Sequence, residues 1–350
     1  MLIKERIDYL EEYIRKCINK DKAFPAASFG IITKKESYFG AIGKTLVGDL
    51  ERNIDFNTIF DLASLTKVVA TNTAIMKLVE DGMLSLSDDI IDILPRYKYR
   101  GIKISDLLTH TAGYDPEPDY KGCRKREELI ELLYNEKIDS NKIKKEVIYS
   151  DTGFMLLSLI IERLTGSFEE YTKEKIFKPL KMTDTGFNPS KEKRSRCAAT
   201  EKCSMRGELV IGVVHDEKSY IMGGVSGHAG LFSTVKDLGF FVQMILDGGE
   251  YQGKRILSKN TIDLLSKCQT EGLNRRRGYG WILKEKNSSI GDFVSELAIY
   301  HTGFTGTSIL IDRHYGIGFI LLSNRVHPTR ENIKLLSLRG KINNIAMTTI

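Results

Sequence analysis

The order of strand-like and helix-like patterns along the chain is the feature that most limits its fold. Residues 27–45 predict two strands joined by a polar turn, with Phe29 and Ile31 on one face. Residues 307–324 predict a second hairpin, which turns at 312–316. Between them, apolar residues recur at helical spacing in four segments: 68–79, 104–109, 127–134 and 151–165. Strands at both ends and helices in the middle predict an α+β fold, with one sheet built from both ends of the chain.

The remaining patterns fit this arrangement. A charged amphipathic helix is predicted at the N-terminus, a largely glycine-rich loop at 209–234, a helix from Thr234 to Asp247 and a final helix from 329 onward. Because hairpins join neighbouring strands, the sheet should be mostly antiparallel.

Charge and cysteine content exclude several classes of protein. A net charge of +6 over 350 residues is mild, and short basic runs such as 121–126, 191–196 and 275–277 are typical of solvated loops, so we expect no nucleic-acid partner. The longest apolar run, 154–164, is too short to span a membrane.

The N-terminal helix lacks the apolar stretch of a secretory signal, and five irregularly spaced cysteines fit neither a disulfide framework nor a zinc site. We expect a cytoplasmic protein, although a missing leader would leave an exported form open. The sequence does not fix the oligomeric state.

A serine begins the longest apolar helical pattern. In "IFDLASLTKVVATNTAIMKLVEDGMLSL" (59–86), Ser64 opens a run that is apolar nearly all round, which predicts a buried helix. Lys67 follows three residues later, on the same helix face and roughly 5–6 Å away at Cβ. Burial and cationic neighbours lower the pKa of a lysine, which would let Lys67 act as the base that a serine nucleophile needs. The helix N-terminus would also favour an oxyanion at Ser64.

The Ser-x-x-Lys spacing alone is weak support, because serine often caps helices and lysine is usually exposed. The chain contains three such pairs: Ser64/Lys67, Ser190/Lys193 and Ser233/Lys236. Ser190 lies in a charged loop and Ser233 precedes an ordinary capped helix, so burial favours the first pair.

Two further motifs follow in chain order. "YSDTGF" supplies Tyr149 and Asp151 within a helical stretch, and "YHTGFTGTS" supplies His301, Thr302 and Gly303 at the start of a strand. A Ser-x-x-Lys element, a Ser-Asp-Asn-like element and a Lys-Thr-Gly-like strand in this order are far more specific than any one of them.

With these motifs the chain resembles the penicillin-binding-protein-like serine hydrolases, which include class C β-lactamases, D-amino-acid-specific peptidases and β-lactamase-fold esterases. The resemblance runs from "FDLASLTKVVA" through "DLLTHTAGY", "YSDTGF", "VVHDEKSYIMGGVSGHAGLFST" and "GYGW" to "HTGFTGTS" and "LLSNRVHPTREN". It implies a β-lactamase/transpeptidase-like fold, in which an antiparallel sheet flanked by helices faces a mainly helical subdomain across an active-site cleft. We place the sheet subdomain at 1–80 and 210–350, and the helical subdomain at 81–209.

The resemblance also implies roles for individual residues. Ser64 would be the acylated nucleophile, Lys67 its base partner, and Tyr149 the relay that protonates the leaving group and later activates water. The backbone N–H groups of Ser64 and Phe304 would form the oxyanion hole, and Gly303 would let substrate approach the backbone. The residues implied to contact substrate are Asp151, His301, Thr302, Gly303 and Phe304.

Two positions depart from the family pattern. Asp151 stands where class C enzymes have Asn, so its usual amide contact to substrate is in doubt, and it could instead pair with Lys67. His301 stands where β-lactamases of the family usually have Lys. A histidine is only fractionally charged at neutral pH, so recognition of a substrate carboxylate should be weaker.

We therefore expect a serine hydrolase that acts through an acyl-enzyme on an ester or amide. The substrate would be a D-amino-acid peptide or a carboxylic ester, with weak or slow reactivity toward β-lactams and no metal or cofactor. One alternative is a catalytically silent protein of the same fold that binds or senses β-lactams or peptidoglycan fragments. Another is a chance match in an unrelated α+β protein, in which Ser64, Tyr149 and His301 would not converge.

Four other features are interpreted as structural. The "HDE" run at 215–217 is not predicted to bind metal, because adjacent side chains point in different directions. His110 ends a helix, where histidines often cap the last carbonyls. His228 lies in a glycine-rich loop and Trp281 is expected in the core.

Overall fold

The computed structural model describes residues 1–116, 118–203, 206–286 and 288–350. The helices are α1 Lys4–Asn19, α2 Thr73–Glu80, α3 Ile90–Ile93, α4 Ile104–Leu108, α5 Arg126–Asn135, α6 Asp151–Thr165, α7 Phe168–Thr172, α8 Lys191–Arg194, α9 Glu217–Ile221, α10 Val235–Leu246, α11 Lys259–Leu265 and α12 Lys334–Met347. The strands are β1 Ala26–Thr33, β2 Ser37–Val47, β3 Leu50–Asn53, β4 Phe60–Asp61, β5 Gly186–Phe187, β6 Ala199–Cys203, β7 Glu208–Ile211, β8 Leu231–Ser233, β9 Glu250–Tyr251, β10 Lys254–Arg255, β11 Ile282–Leu283, β12 Ala298–Thr302, β13 Ser308–Asp312 and β14 Ile317–Ser323.

The main sheet joins the two ends of the chain. Its seven strands run in the order β11-β12-β13-β14-β1-β2-β3, and every neighbouring pair is antiparallel. β1 pairs with β14, with Ala27 opposite Ser323, so the N- and C-terminal hairpins meet at the centre of the sheet. The predicted antiparallel sheet and α+β class are confirmed.

Both faces of this sheet are covered. On one face, Phe29 and Ile31 pack with Leu10 of α1 and Ile342 of α12 in a single apolar cluster, which confirms that the two β1 residues share a face. On the other face, Ile32 belongs to a larger cluster that includes α10 and the helices around α6. Alternate residues of β1 therefore serve two separate cores.

Helix α6 runs through the centre of the helical region, over the bounds that its periodicity predicts. Every residue from Asp151 to Ile161 is buried, and α6 packs against α2, α4 and α5. Although α6 contains the longest apolar run, no helix within the described ranges is long and apolar enough to cross a membrane.

The division into subdomains at 80/81 and 209/210 stays a prediction. Residues 81–209 contain helices α3 to α8 and also the short strands β5 and β6. β5 pairs with β8, which also pairs with β4 just before Ser64. A small three-stranded sheet thus connects the middle of the chain to the turn that carries the serine.

One local prediction is wrong. Ser64 does not open a regular α-helix: it lies in a 3₁₀ turn, Ala63–Leu65, followed by a π-helical segment, Lys67–Asn72, before α2 begins. All six residues of the π segment are buried. The sequence therefore shows no one-sided apolar stripe whose spacing could tell a π-helical segment from an α-helix. The stretch 209–234 is largely loop, as predicted, but it also holds the end of β7 and all of α9 and β8, which are too short to give a periodic signal.

Candidate active site

Ser64 lies on a tight turn that is fixed by hydrogen bonds to both backbone groups of the preceding residue. Ala63, directly before it, has a φ of +47°, a conformation that costs a non-glycine residue about 1–3 kcal/mol. The buried Asp61 carboxylate accepts the Ala63 N–H at 2.8 Å, and the Thr66 hydroxyl donates to the Ala63 carbonyl at 2.7 Å. These bonds fix the position of the Ser64 hydroxyl, as a nucleophile requires.

Lys67 is completely buried, and its side-chain nitrogen contacts polar groups of Ser64, Asp151 and His228. Nζ lies 3.0 Å from Ser64 Oγ, 2.7 Å from Asp151 Oδ1 and 3.1 Å from the His228 carbonyl oxygen. Burial disfavours the charged form, but the Asp151 carboxylate and the neighbouring Tyr149 outweigh it and hold the pKa of Lys67 above its usual value. Lys67 is therefore an ammonium at rest, and the pairing with Asp151 that the sequence suggested is present.

Asp151 lies between two lysines. Its second oxygen, Oδ2, is 3.2 Å from Lys218 Nζ, and Lys218 is only 3% exposed. Burial favours the neutral acid, but Lys67, His228 and Lys218 hold the pKa of Asp151 below its usual value. An ionised Asp151 thus links the lysine beside Ser64 to a second buried lysine.

The Tyr149 ring packs among cationic and imidazole groups. Lys67 Nζ lies 4.9 Å from the ring centroid, and the His110 and His301 rings have centroid distances of 4.6 Å and 6.2 Å. The Arg277 guanidinium carbon is 5.9 Å from the same centroid. Because Lys67 also contacts Ser64, the three motifs converge on one site, which contradicts the chance-match alternative.

His301 is uncharged in this site. It is buried, and burial together with Lys67 and Arg277 holds its pKa well below the usual value. Nδ1 lies 2.9 Å from the Thr302 carbonyl oxygen and so carries the ring proton. Nε2 has no hydrogen-bond partner among the described residues, which leaves an acceptor beside Tyr149.

His110 differs from its expected role as a helix cap. Burial, with Arg277 and Lys67, holds its pKa well below the usual value, and its Nδ1 accepts the Ser150 backbone N–H at 3.2 Å. The neutral ring therefore anchors the start of α6 and packs on Tyr149, rather than capping carbonyl groups of α4.

The residues that directly follow β12 are hydrogen-bonded to the turn that carries Ser64. The Thr307 hydroxyl donates to the Leu62 carbonyl at 3.0 Å. A Cβ added to Gly303 would lie 2.1 Å from Thr307 Oγ1 and 2.3 Å from the Leu62 oxygen, so the glycine lets strand and turn touch. The chain's own backbone fills the space in which substrate approach was expected to require a glycine. Phe304, the next residue, is 48% exposed.

These residues occur in a chain that matches known proteins over most of its length. The family profile described as Beta-lactamase matches residues 10–343. The chain belongs to the beta-lactamase family.

Two similar proteins are named as hydrolases. An N-acetylmuramyl-L-alanine amidase from Bacillus subtilis (strain 168) is 36% identical over 305 residues, 77% of this chain and 68% of that protein. A protein of Escherichia coli (strain K12), provisionally named D-alanyl-D-alanine carboxypeptidase, is 30% identical over 365 residues, 92% of this chain and 83% of that protein.

Solved structures show the same fold. The octameric penicillin-binding protein homologue from Pyrococcus abyssi superposes with a TM-score of 0.73 at 25% identity, over 98% of this chain and 79% of that one. EstCE1, a hydrolase with promiscuous acyltransferase activity, gives 0.77 at 19% identity over 97% and 99%. The β-lactamase/transpeptidase-like fold implied by the resemblance is confirmed.

In this beta-lactamase-family chain, only the middle side chain of the "HDE" run points away from the other two among the described residues. Asp216 contacts His228. His215 contacts Glu201, and Arg330 pairs with both Glu201 and Glu217, so the outer two side chains reach one ion-pair network. The donor atoms that do lie close together are those of Asp151, Asp216 and His228, within 4.8 Å of one another. The Lys67 and Lys218 ammonium groups already contact these carboxylates and would repel a divalent cation, so we propose no metal there.

Sequence reasoning missed two cations of the site. Lys218 lies inside the "VVHDEKSYIMGG" block, but the helix that buries it spans only Glu217–Ile221 and gives no amphipathic signal. Arg277 belongs to the basic run 275–277, which was interpreted as a solvated loop. Arg277 is only partly exposed, its Nη1 is buried, and burial lowers its pKa, so this member of the run is not an ordinary solvated loop residue. Trp281, by contrast, is in the core as expected.

Proposed function

We propose that the chain is a serine hydrolase that forms an acyl-enzyme on Ser64, with Lys67 as its base partner. The observation that carries the proposal is the 3.0 Å contact between Ser64 Oγ and the fully buried Lys67 Nζ. Of the three Ser-x-x-Lys lysines, only Lys67 is buried against both a serine and a carboxylate among the described residues.

The partners of Lys67 support a base role. The Asp151 carboxylate and the His228 carbonyl can only accept hydrogen bonds, whereas the Ser64 hydroxyl can donate or accept. When Lys67 loses one proton, its two remaining N–H groups stay on the two acceptors and its lone pair faces Ser64. The amine then takes the hydroxyl proton as Oγ attacks the substrate carbonyl carbon.

The rest of the site supplies the remaining steps of acyl transfer. The backbone N–H groups of Ser64 and Phe304 stabilise the tetrahedral oxyanion. Tyr149 passes a proton to the leaving group and then helps water attack the acyl-enzyme. Asp151, Thr302 and the neutral His301 border the substrate.

The substrate we propose is an amide or ester, with a D-amino-acid peptide or a carboxylic ester as the two classes. The names of the two relatives, an N-acetylmuramyl-L-alanine amidase and a protein provisionally named D-alanyl-D-alanine carboxypeptidase, support the amide class. Because His301 is held uncharged, it offers no cation to a β-lactam carboxylate, and we expect β-lactams to react slowly.

The test is hydrolysis of p-nitrophenyl acetate and butyrate, followed by nitrophenol release and by intact mass. We expect turnover and a transient acyl adduct in the wild type, and loss of both in Ser64→Ala. Ser190→Ala is the matched control, since Ser190 belongs to a second Ser-x-x-Lys pair, is exposed and should leave turnover unchanged. Equal turnover in wild type and Ser64→Ala would refute the nucleophile, whereas a stable adduct without turnover would favour the sensor alternative.

A further inference from the structure

Lys218 is a second buried lysine on the carboxylate that Lys67 uses. We infer that Lys218 is a positioning residue that neutralises Asp151, so that Lys67 can give up its own proton and accept the one on Ser64. The inference rests on the proposed function, because it concerns the base that activates Ser64.

The two lysines bracket a single carboxylate. Lys67 Nζ lies 2.7 Å from Asp151 Oδ1, and Lys218 Nζ lies 3.2 Å from Asp151 Oδ2 and 3.6 Å from Asp216 Oδ2. Asp216 caps α9 by accepting the Ser219 N–H at 2.8 Å, which fixes the helix that carries Lys218. The place of Lys218 against Asp151 is therefore set by the fold.

Lys218 supplies positive charge to a cluster that contains two carboxylates. Asp151 and Asp216 both have pKa values held below the usual range, so both are negatively charged. Lys67 and Lys218 each contact Asp151, and Lys218 also lies 3.6 Å from Asp216 Oδ2. Without Lys218, loss of the Lys67 proton would leave the buried Asp151 carboxylate facing no charged lysine, which is costly, so Lys67 would hold its proton more tightly.

The other charged and titratable groups that the structure describes around Lys67 do not take the place of Lys218. His110 and His301 are held uncharged, and Arg277 lies toward the Tyr149 ring, 5.9 Å from its centroid. Beside Lys218, the acid Glu217 is paired with Arg330. The Lys218 ammonium also packs over the Tyr120 ring at 5.1 Å.

The experiment is the pH dependence of kcat/KM for p-nitrophenyl butyrate in wild type and Lys218→Met. The acid limb of the profile reports the loss of the Lys67 proton and lies in the alkaline range, because the pKa of Lys67 is held above its usual value of about 10.4. Ester hydrolysis without protein is therefore subtracted at every pH. We expect Lys218→Met to move this limb about one pH unit upward, which lowers kcat/KM about tenfold below the limb and leaves the alkaline plateau in place. Lys218→Arg keeps the charge and should keep the wild-type limb.

Lys236→Met is the matched control. Lys236 also packs over an aromatic ring, 5.3 Å from the Phe56 centroid, but it is exposed and lies in the unused third Ser-x-x-Lys pair. Its profile should match the wild type. A fall in kcat/KM at every pH, with the limb of Lys218→Met unmoved, would indicate a merely structural role and overturn the inference.

Two further measurements keep the test decisive. If Lys218→Met does not fold, the same change is made in Asp216→Asn, which removes one anion but keeps an acceptor for Ser219 and His228. Asp216→Asn should lower the limb, and adding Lys218→Met should raise it again by about one pH unit; equal limbs would overturn the inference.

Ser64→Ala is measured alongside. Full turnover there would refute the proposed function and this inference with it, whereas an inactive Ser64→Ala with an unmoved Lys218→Met limb would refute the inference alone.

Discussion

At the scale of single residues, Gly303 controls how closely β12 approaches the Ser64 turn. A Cβ there would meet Leu62 O and Thr307 Oγ1 at 2.3 Å and 2.1 Å, and one of these is backbone that cannot rotate away. The Thr305 hydroxyl also donates to the Asp61 carbonyl at 2.8 Å, which ties the same two segments together. A side chain at this position must push them apart.

We predict that Gly303→Ala lowers kcat/KM on p-nitrophenyl butyrate about a hundredfold, because a displacement of about 1 Å at the reacting atoms has that effect. Gly186→Ala is the control, since Gly186 is also associated with a strand but has open space around its Cβ. If Gly303→Ala kept wild-type kcat/KM while folding normally, the contact between strand and turn would not matter for the reaction.

At the scale of elements, the start of α10 carries a buried acid that couples stability to pH. Asp237 lies in its first turn, and its Oδ2 accepts the Asp184 N–H and the Thr185 hydroxyl, both at 2.8 Å. Burial outweighs these bonds and raises the pKa of Asp237 to about 6. The folded state therefore binds a proton more tightly here than the unfolded chain does.

We predict that Asp237→Asn gains stability relative to wild type as pH rises. The wild-type contribution of Asp237 is complete below its unfolded pKa of about 3.9 and is lost as pH rises through about 6. At about 1.4 kcal/mol for each pH unit between these values, the difference in unfolding free energy between variant and wild type should change by about 3 kcal/mol. Urea unfolding at pH 4, 5, 6 and 7 measures it, and a difference independent of pH would contradict the prediction.

At the scale of the whole molecule, the two ends of the chain close the fold together. α1 packs against α12, and both cover the sheet face that carries Phe29 and Ile31. Leu10 is fully buried in this layer, whereas the core around Lys67 lies on the other side of the sheet.

Leu10→Ala should therefore lower the free energy of unfolding by about 2–5 kcal/mol and leave kcat/KM unchanged. Tyr9→Ala, at a neighbouring position that is 47% exposed, should change stability far less. Urea unfolding and ester hydrolysis on the same samples test both statements, and a large loss of kcat/KM in folded Leu10→Ala would show that the two layers are coupled.

Much of this organisation could be predicted from local patterns. The bounds of α6 and α10 and the two hairpins follow from the spacing of apolar residues and from turn residues, because helix and strand periodicity are properties of short windows. The winding at Lys67–Asn72 could not be predicted in this way, because those residues are buried on every side. α9 was missed because five residues contain no full amphipathic repeat.

The sequence by itself determined the α+β class, the pairing of the chain ends in one antiparallel sheet, and the candidate nucleophile and its lysine, which are only three residues apart. Only the tertiary structure decided the electrostatics of the site. Lys218, Arg277 and His110 come from distant parts of the chain, and whether each is solvated depends on what packs over it. Burial and neighbouring charge set the protonation state of a side chain, and both arise only when the chain is folded.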